Sequence, residues 1–235
     1  MSIRLGVKIN NQPDYTTCGP TSLHAVYSYY QDKVSLKQTI REINQFDNGG
    51  GTLAVILAKH ALERGYKTTI VSYNIKVFDP SWFNKKNSEI SQYVRKSRET
   101  PPFSEKRSYA LKAYEEYLNL GGLLKFEDLS CQFLKSIIDS KIPILTGLSS
   151  TWLYRDKREN PSTNEYDDLA GEPAGHFVII DGYEKQNSFS ICDPYQKNPI
   201  QGSNHYLIDG NRLINSILLG ISSYDGNLLL IEKTK

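Results

Sequence analysis

The chain has 235 residues, with 28 basic and 26 acidic side chains for a formal net charge of +2, and 39% of it is apolar. That length suits one large domain, or a domain carrying a sizeable elaboration. No dense basic stripe of a nucleic-acid binder stands out, and no apolar run approaches the roughly 20 residues that span a bilayer. The start, MSIRLGVKIN, lacks the basic residues and long apolar stretch of a secretory signal, so the expectation is a cytoplasmic protein with no nucleic-acid or membrane partner.

In chain order, the turn-like stretch QPDYTTCGP comes first, followed by apolar residues at Leu23, Val26, Tyr27 and Tyr30, one face of a helix. Pro20 suits the first helical turn, where its missing N–H is not needed. Cys18 is therefore expected just ahead of a helix N-terminus. A second helix is predicted over SLKQTIREINQF, and a third over about Leu53–Arg64, stopping at Gly65. Between them lies Asn48-Gly49-Gly50-Gly51-Thr52. TTIVSYN, rich in β-branched residues, reads as a strand.

Residues 76–125 are rich in Lys, Glu, Arg, Ser and Tyr, with an amphipathic helix expected on each side of Pro101-Pro102. Because about 50 residues bury little core alone, this stretch reads as a helical insertion within a single domain spanning 1–235. Phe126–Ser140 returns to helical periodicity. IPILTGL, HFVIIDGY, SFSICDPY, HYLI and NLLLIEK then read as strands, interrupted by a polar loop from about Arg155 to Gly175. Helices first and strands second define an α+β class, with N-terminal helices packed on a mainly antiparallel sheet.

Three cysteines are present, Cys18, Cys131 and Cys192, and an odd count with no CxxC pair argues against a disulfide framework or a zinc ribbon. A thiol at a helix N-terminus feels the positive end of the helix dipole and unpaired backbone N–H groups, which favour thiolate. The alternative for a lone cysteine is a buried packing role. Cys131 and Cys192 fall into apolar patterns and read as inert.

A nucleophilic cysteine needs a base. His24 and His60 fall within helices and read as surface or packing residues, and His205, at the start of a late strand, remains a weaker candidate. His176 opens HFVIIDGY after the flexible Gly-Glu-Pro-Ala-Gly. HFVIIDGYE and SFSICDPY read as two strands joined by a tight turn at Lys185-Gln186-Asn187. A hairpin centred near residue 186 places position 176 within about one to three residues of facing Asp193. A base and a carboxylate to orient it would then meet on neighbouring strands.

Gln12-x5-Cys18-Gly19-Pro20, Gly175-His176-Phe177-Val178 and Asp193-Pro194 together resemble the papain-like peptidases that process the double-glycine leaders of bacteriocins. The closer resemblance is to their stand-alone relatives, the "-like" branch of cysteine-peptidase family thirty-nine. It covers about residues 10–72 and 125–235, and it is specific at four positions. It implies a papain-like fold in which Gln12 supplies an oxyanion-hole donor and Cys18, His176 and Asp193 form a catalytic triad. Gly50-Gly51-Thr52 and Gly147-Leu148-Ser149 fit the pattern more loosely.

The chemistry implied is nucleophilic acyl transfer to Cys18, with His176 as base and then acid and Asp193 holding its tautomer. The expected oxyanion donors are the Gln12 amide and the Cys18 backbone N–H. The expected function is a cysteine peptidase or amidohydrolase acting on a peptide or amide, with no cofactor. An acyltransferase on the same triad and a catalytically silent peptide-binding module are the alternatives. Gly49-x-Gly51-x-x-Ala54 follows a helical pattern rather than the strand a dinucleotide site requires. A metal site from His176, Cys192 and Asp193 is disfavoured because adjacent strand residues point to opposite faces. Asp156, Glu159, Glu165, Asp167, Asp168 and Glu172 crowd the loop before His176, as a solvated loop or as an acidic rim for a cationic substrate group.

Overall fold

A computed structural model describes residues 2–45, 51–102 and 104–234. The N-terminal part holds strand β1 (Ile3–Arg4) and helices α1 (Cys18–Tyr29), α2 (Leu36–Glu42) and α3 (Ala54–Glu63), followed by β2 (Tyr66–Ser72). Then come α4 (Asn87–Arg98), α5 (Glu105–Asn119), β3 (Leu123–Lys125) and α6 (Cys131–Asp139). The last part comprises β4 (Ile144–Ser149), α7 (Ser150–Tyr154), β5 (Gly175–Tyr183), β6 (Ser188–Cys192), β7 (His205–Asp209), α8 (Gly210–Leu219) and β8 (Asn227–Lys233).

One sheet runs in the order β3-β2-β8-β4-β5-β6-β7, with β1 pairing to the end of β5. Every pairing is antiparallel except β2 with β3. The α+β class and the mainly antiparallel sheet are therefore as the sequence pattern predicts.

Strand alternation sends neighbouring side chains to opposite faces. Ile70, Leu145, Phe177, Ile179 and Leu229 pack on one side against Leu23 and Val26 of α1, Leu57 of α3 and Leu111 of α5. Val71, Ile144, Val178, Ile180 and Leu228 pack on the other against Leu134 and Ile138 of α6 and Leu213 and Ile217 of α8. The sheet is thus covered by helices on both faces, which the expectation of N-terminal helices alone did not include. The strands in its middle are buried throughout, with a near-continuous apolar run rather than clean alternation.

The expected helices on either side of Pro101-Pro102 are α4 and α5. In α5, Leu111, Tyr114 and Tyr117 are wholly buried, and the Tyr117 hydroxyl donates to the Leu123 carbonyl at 2.9 Å. Two elements depart from expectation. Helical structure after residue 125 begins only at Cys131, where Ser130 caps the helix by accepting from the Phe133 N–H at 3.1 Å. Phe126 instead stacks on Phe83, with ring centroids 3.9 Å apart, so aromatic packing overrides its place in a helical pattern. Helix α8 lies in a stretch between two expected strands. Asp209 caps it, accepting from the Asn211 and Arg212 N–H groups, and Leu213 and Ile217 form its buried stripe.

Because the buried face of α5 joins the same core as α1 and α3, Leu111→Ala is expected to cost about 2–5 kcal/mol through the cavity it leaves. Urea unfolding followed by circular dichroism should show this as a lower midpoint in a single transition. A separate early transition for the helical segment would contradict the shared core.

Candidate active site

Cys18 is the first residue of α1. The loop before it is shaped by Asp14, whose Oδ1 accepts from the Thr16 N–H and hydroxyl, both at 2.9 Å, while its carbonyl accepts from the Thr17 hydroxyl at 3.1 Å. Thr17 occupies the cap position, yet its side chain makes no capping hydrogen bond, and no acidic residue lies in the first turn. The first-turn N–H groups of a helix have no intrahelical partner, so this end keeps its positive potential beside the thiol. Gly19 meets a steric need, since a Cβ there would lie 2.6 Å from Thr52 Cγ2 and 3.2 Å from the Phe177 ring. The absent side chain lets α1 rest directly on the residue after His176.

The hairpin places His176. β5 and β6 pair with Ile179 opposite Cys192 and Ile180 opposite Ile191, and the register shifts between Ile180 and Gly182. Lys185–Asn187 form a 3-10 turn between them. Extending the register puts position 176 two residues past Asp193, so the two side chains meet diagonally across the strands. His176 Nε2 donates to Asp193 Oδ1 at 2.8 Å.

Asp193 is wholly buried and every donor around it is accounted for. The Tyr195 N–H reaches Oδ1 at 2.8 Å, and the Tyr154 and Tyr206 hydroxyls each donate to Oδ2 at 2.7 Å. Burial by itself would raise its pKa, but His176 and the two phenols outweigh that and hold the carboxyl below the usual range. Burial would likewise discharge His176, yet the Asp193 carboxylate and, to a lesser degree, nearby Cys18 push its pKa up to about 10. With Nε2 committed to Asp193, Nδ1 is the nitrogen left for Cys18.

Gln12 lies on the same cleft. Its backbone N–H donates to the Pro194 carbonyl at 2.9 Å, tying the loop to the residue after Asp193. Its Nε2 donates to the Asp14 carbonyl at 2.8 Å, which uses one of two N–H hydrogens. Gln12, Cys18 and His176 line a cavity of about 320 Å³ together with Gly51 and Thr52, Lys106 and Tyr109 from α5, and residues of the 150–175 loop. The structure therefore brings together all four residues singled out in the sequence, with Asp193 behind His176.

The other histidines lie elsewhere. His60 is held by Tyr27 at 2.7 Å and Glu42 at 3.1 Å, and His205 pairs with Cys192 at the start of β7. Cys192 is buried with its thiol 3.5 Å from the Val7 carbonyl, and among the described residues no group of three or more His, Cys, Asp or Glu is placed to hold a metal ion. Of the relaxed dinucleotide pattern, Gly49 lies outside the described residues. In the acidic loop, Asp156, Glu159 and Glu172 reach the cleft, whereas Asp167 caps its own turn and Asp168 lies 3.6 Å from Lys157. Tyr154 and Tyr206 escaped sequence reading. Tyr206 carries one signal, an inward position on a strand that alternates with exposed residues, whereas Tyr154 borders a loop and carries none.

The sequence matches the Peptidase_C39 like family over residues 4–209. The chain belongs to this family and is a papain-like cysteine peptidase. Its fold is similar to that of a C39-like peptidase from Bacillus anthracis, at 12% identity and a TM-score of 0.53, with 100% of both chains covered. Xylellain, a cysteine protease from Xylella fastidiosa, aligns at 13% identity and a TM-score of 0.48, over 100% of this chain and 86% of the other. A double-glycine-motif protease from an AMS/PCAT transporter, solved with its leader peptide, aligns at 14% identity and a TM-score of 0.46, over 98% of this chain and 94% of the other. No curated protein matches the sequence. Among the described residues no helix is long and apolar enough to cross a membrane.

Two outcomes follow from the charge distribution. With the Asp193 carboxylate beside it, the His176 imidazolium should persist until the pH rises through about 10. In Asp193→Ala its titration should move down toward the ordinary histidine range near about 6.5, as measured from the imidazole NMR shifts against pH. Tyr206→Phe removes one donor from a buried charge and should lower stability by about 1.5–3 kcal/mol in urea titration.

Proposed function

We propose that this peptidase cleaves a peptide or amide bond through a Cys18–His176–Asp193 triad and an acyl-enzyme, with Gln12 in the oxyanion hole. The observation that carries the reading is the placement of His176: its Nε2 bonds the buried Asp193, while His176, Cys18 and Gln12 line the same cavity. A neutral histidine held this way keeps its proton on Nε2 and leaves Nδ1 free to exchange a proton with the thiol and the leaving amine.

In the first step the Cys18 sulfur attacks the substrate carbonyl carbon, and the carbonyl electron pair moves onto oxygen. The second Nε2 hydrogen of Gln12 and the Cys18 N–H at the uncapped helix start are the donors for that oxyanion. As the tetrahedral centre collapses, the C–N bond breaks and Nδ1–H of His176 protonates the leaving amine. Water then attacks the thioester, His176 takes its proton, and the acid leaves as the Cys18 thiolate is restored. Asp193 stays ionised throughout, because both phenols and the Tyr195 N–H stabilise its charge.

The whole chain is proposed to act as one domain, in which the 76–125 segment supplies part of the cleft wall. Lys106 and Tyr109 of α5 line the cavity that also holds Cys18 and His176. In this reading the segment selects substrates and takes no part in bond breaking.

The test uses a reactive acyl donor with the intact chain. A covalent adduct is expected on Cys18 by mass spectrometry, followed by release of free acid, and Cys18→Ala should give neither. Gln12→Ala should lower turnover by roughly 10²–10³, the scale of one lost oxyanion donor, with Cys18 alkylation near normal. Amide formation with added amines that outpaces free acid would replace the hydrolase by a transferase. Peptide binding with no adduct from any donor would replace it by a binding module.

A further inference from the structure

The cleft holds a second buried carboxyl that the chemistry above does not use. Asp225 lies between α8 and β8, outside the family-matched residues 4–209, and is only 5% exposed. It lines the cavity shared by Cys18 and His176. Its Oδ2 accepts from the Ser223 hydroxyl at 3.1 Å, while Oδ1 is buried with no hydrogen-bond partner among the described residues. Asp193, equally buried, is met by four donors. A buried polar group left unpaired is costly; Oδ1 is closed off against Gly147, so a cation in the cavity would compensate the carboxyl through Oδ2, beside Ser223 and Gly175.

The backbone around Asp225 is cut back to make room. A Cβ on Gly147 of β4 would lie 2.6 Å from Asp225 Oδ1, and one on Gly175, directly before His176, would lie 2.6 Å from Ser223 Oγ and 3.1 Å from Asp225 Oδ2. Both strands next to the base are therefore free of side chains where the carboxyl sits. Burial raises the Asp225 pKa to about 7, against the opposing pull of the Ser223 hydroxyl, Lys106 and His176. Lys106 forms no ion pair with Asp225 among the described residues; its Nζ sits over the Tyr224 ring, 5.4 Å from the centroid.

We propose that Asp225, with Ser223, forms a subsite that receives a cationic group of the peptide substrate, an ammonium or guanidinium, beside the bond to be cleaved. This deepens the peptidase reading and rests on it for the word substrate. A charge-assisted hydrogen bond to Asp225 would satisfy the carboxyl and exclude a neutral group of the same length.

The test separates binding from cleavage. Cys18→Ala protein is titrated, by fluorescence anisotropy, with acetylated hexapeptide libraries carrying lysine or its uncharged isostere norleucine at one fixed position. A third set has a free N-terminal amine and no lysine. One cationic set should bind roughly tenfold or more tightly than its neutral counterpart, and adding Asp225→Asn should erase that ratio. Which set shows the preference tells a side-chain cation from an N-terminal one. Lys106→Gln should widen the ratio by removing a competing cation, and this arm carries the test if Asp225→Asn does not fold. Equal affinities, no binding by any set, or a cation preference that survives Asp225→Asn would overturn the subsite. Wild-type cleavage of the same libraries is followed in parallel. Cation-selective binding without cleavage would keep the subsite and sink the peptidase mechanism, and cleavage without selectivity would do the reverse.

Discussion

A carboxylate without solvent is the constraint around which this site is built. Asp193 has no exposed surface, and an ionised group so placed is tolerable only when its lone pairs are filled. The donors come from four separate places: His176 at the open end of β5, Tyr154 at the end of α7, Tyr206 on β7 and the backbone of Tyr195. The Asp193 backbone is pinned as well, donating to the Asn204 carbonyl and accepting from the Asn204 side chain. Shifting any of these strands by one residue would strand the charge, so the carboxylate fixes their register as firmly as the apolar faces do.

Cys18, the proposed nucleophile, reaches this assembly by a different kind of force. The Ser22 hydroxyl donates to the Phe177 carbonyl at 3.3 Å, and the rest is close packing, with Leu23 and Val26 in the core and Gly19 against Phe177 and Thr52. Cys18 and His176 are thus brought together by van der Waals contact one residue away on each segment. Polar groups orient His176, and shape delivers Cys18.

Much of this was legible in the residues. A hairpin has a fixed centre, so the short turn at Lys185–Asn187 was enough to bring His176 and Asp193 to neighbouring strands. The helix after Cys18 was readable from Pro20 and the apolar spacing that follows. What could not be read were contacts with no local pattern. Tyr154 and Tyr206 lie 39 and 13 residues from Asp193, and a buried tyrosine looks the same in sequence whether its hydroxyl meets a carboxylate or a carbonyl. Asp225 sits at a turn, where aspartate is common for local reasons, and only the surrounding strands reveal its lack of donors. Helix α8 carries local signals in the Asp209 cap and the Leu213–Ile217 spacing, set between two strand patterns that dominate the stretch.

The strand order carries a consequence for how the chain acquires reactivity. β8, near the end of the sequence, lies in the middle of the sheet, pairing β2 on one side and β4 on the other. β2 and β3 thus join β4 and β5 in one sheet only after this strand has been inserted, whereas β1 pairs with β5 directly. Such non-local pairing is slow to form. On a ribosome Cys18 emerges early, and His176 follows 158 residues later at the usual pace of synthesis. For most of that interval Cys18 is a cysteine on an unfinished chain, and the cleft it lines is complete only when the last strands have been added.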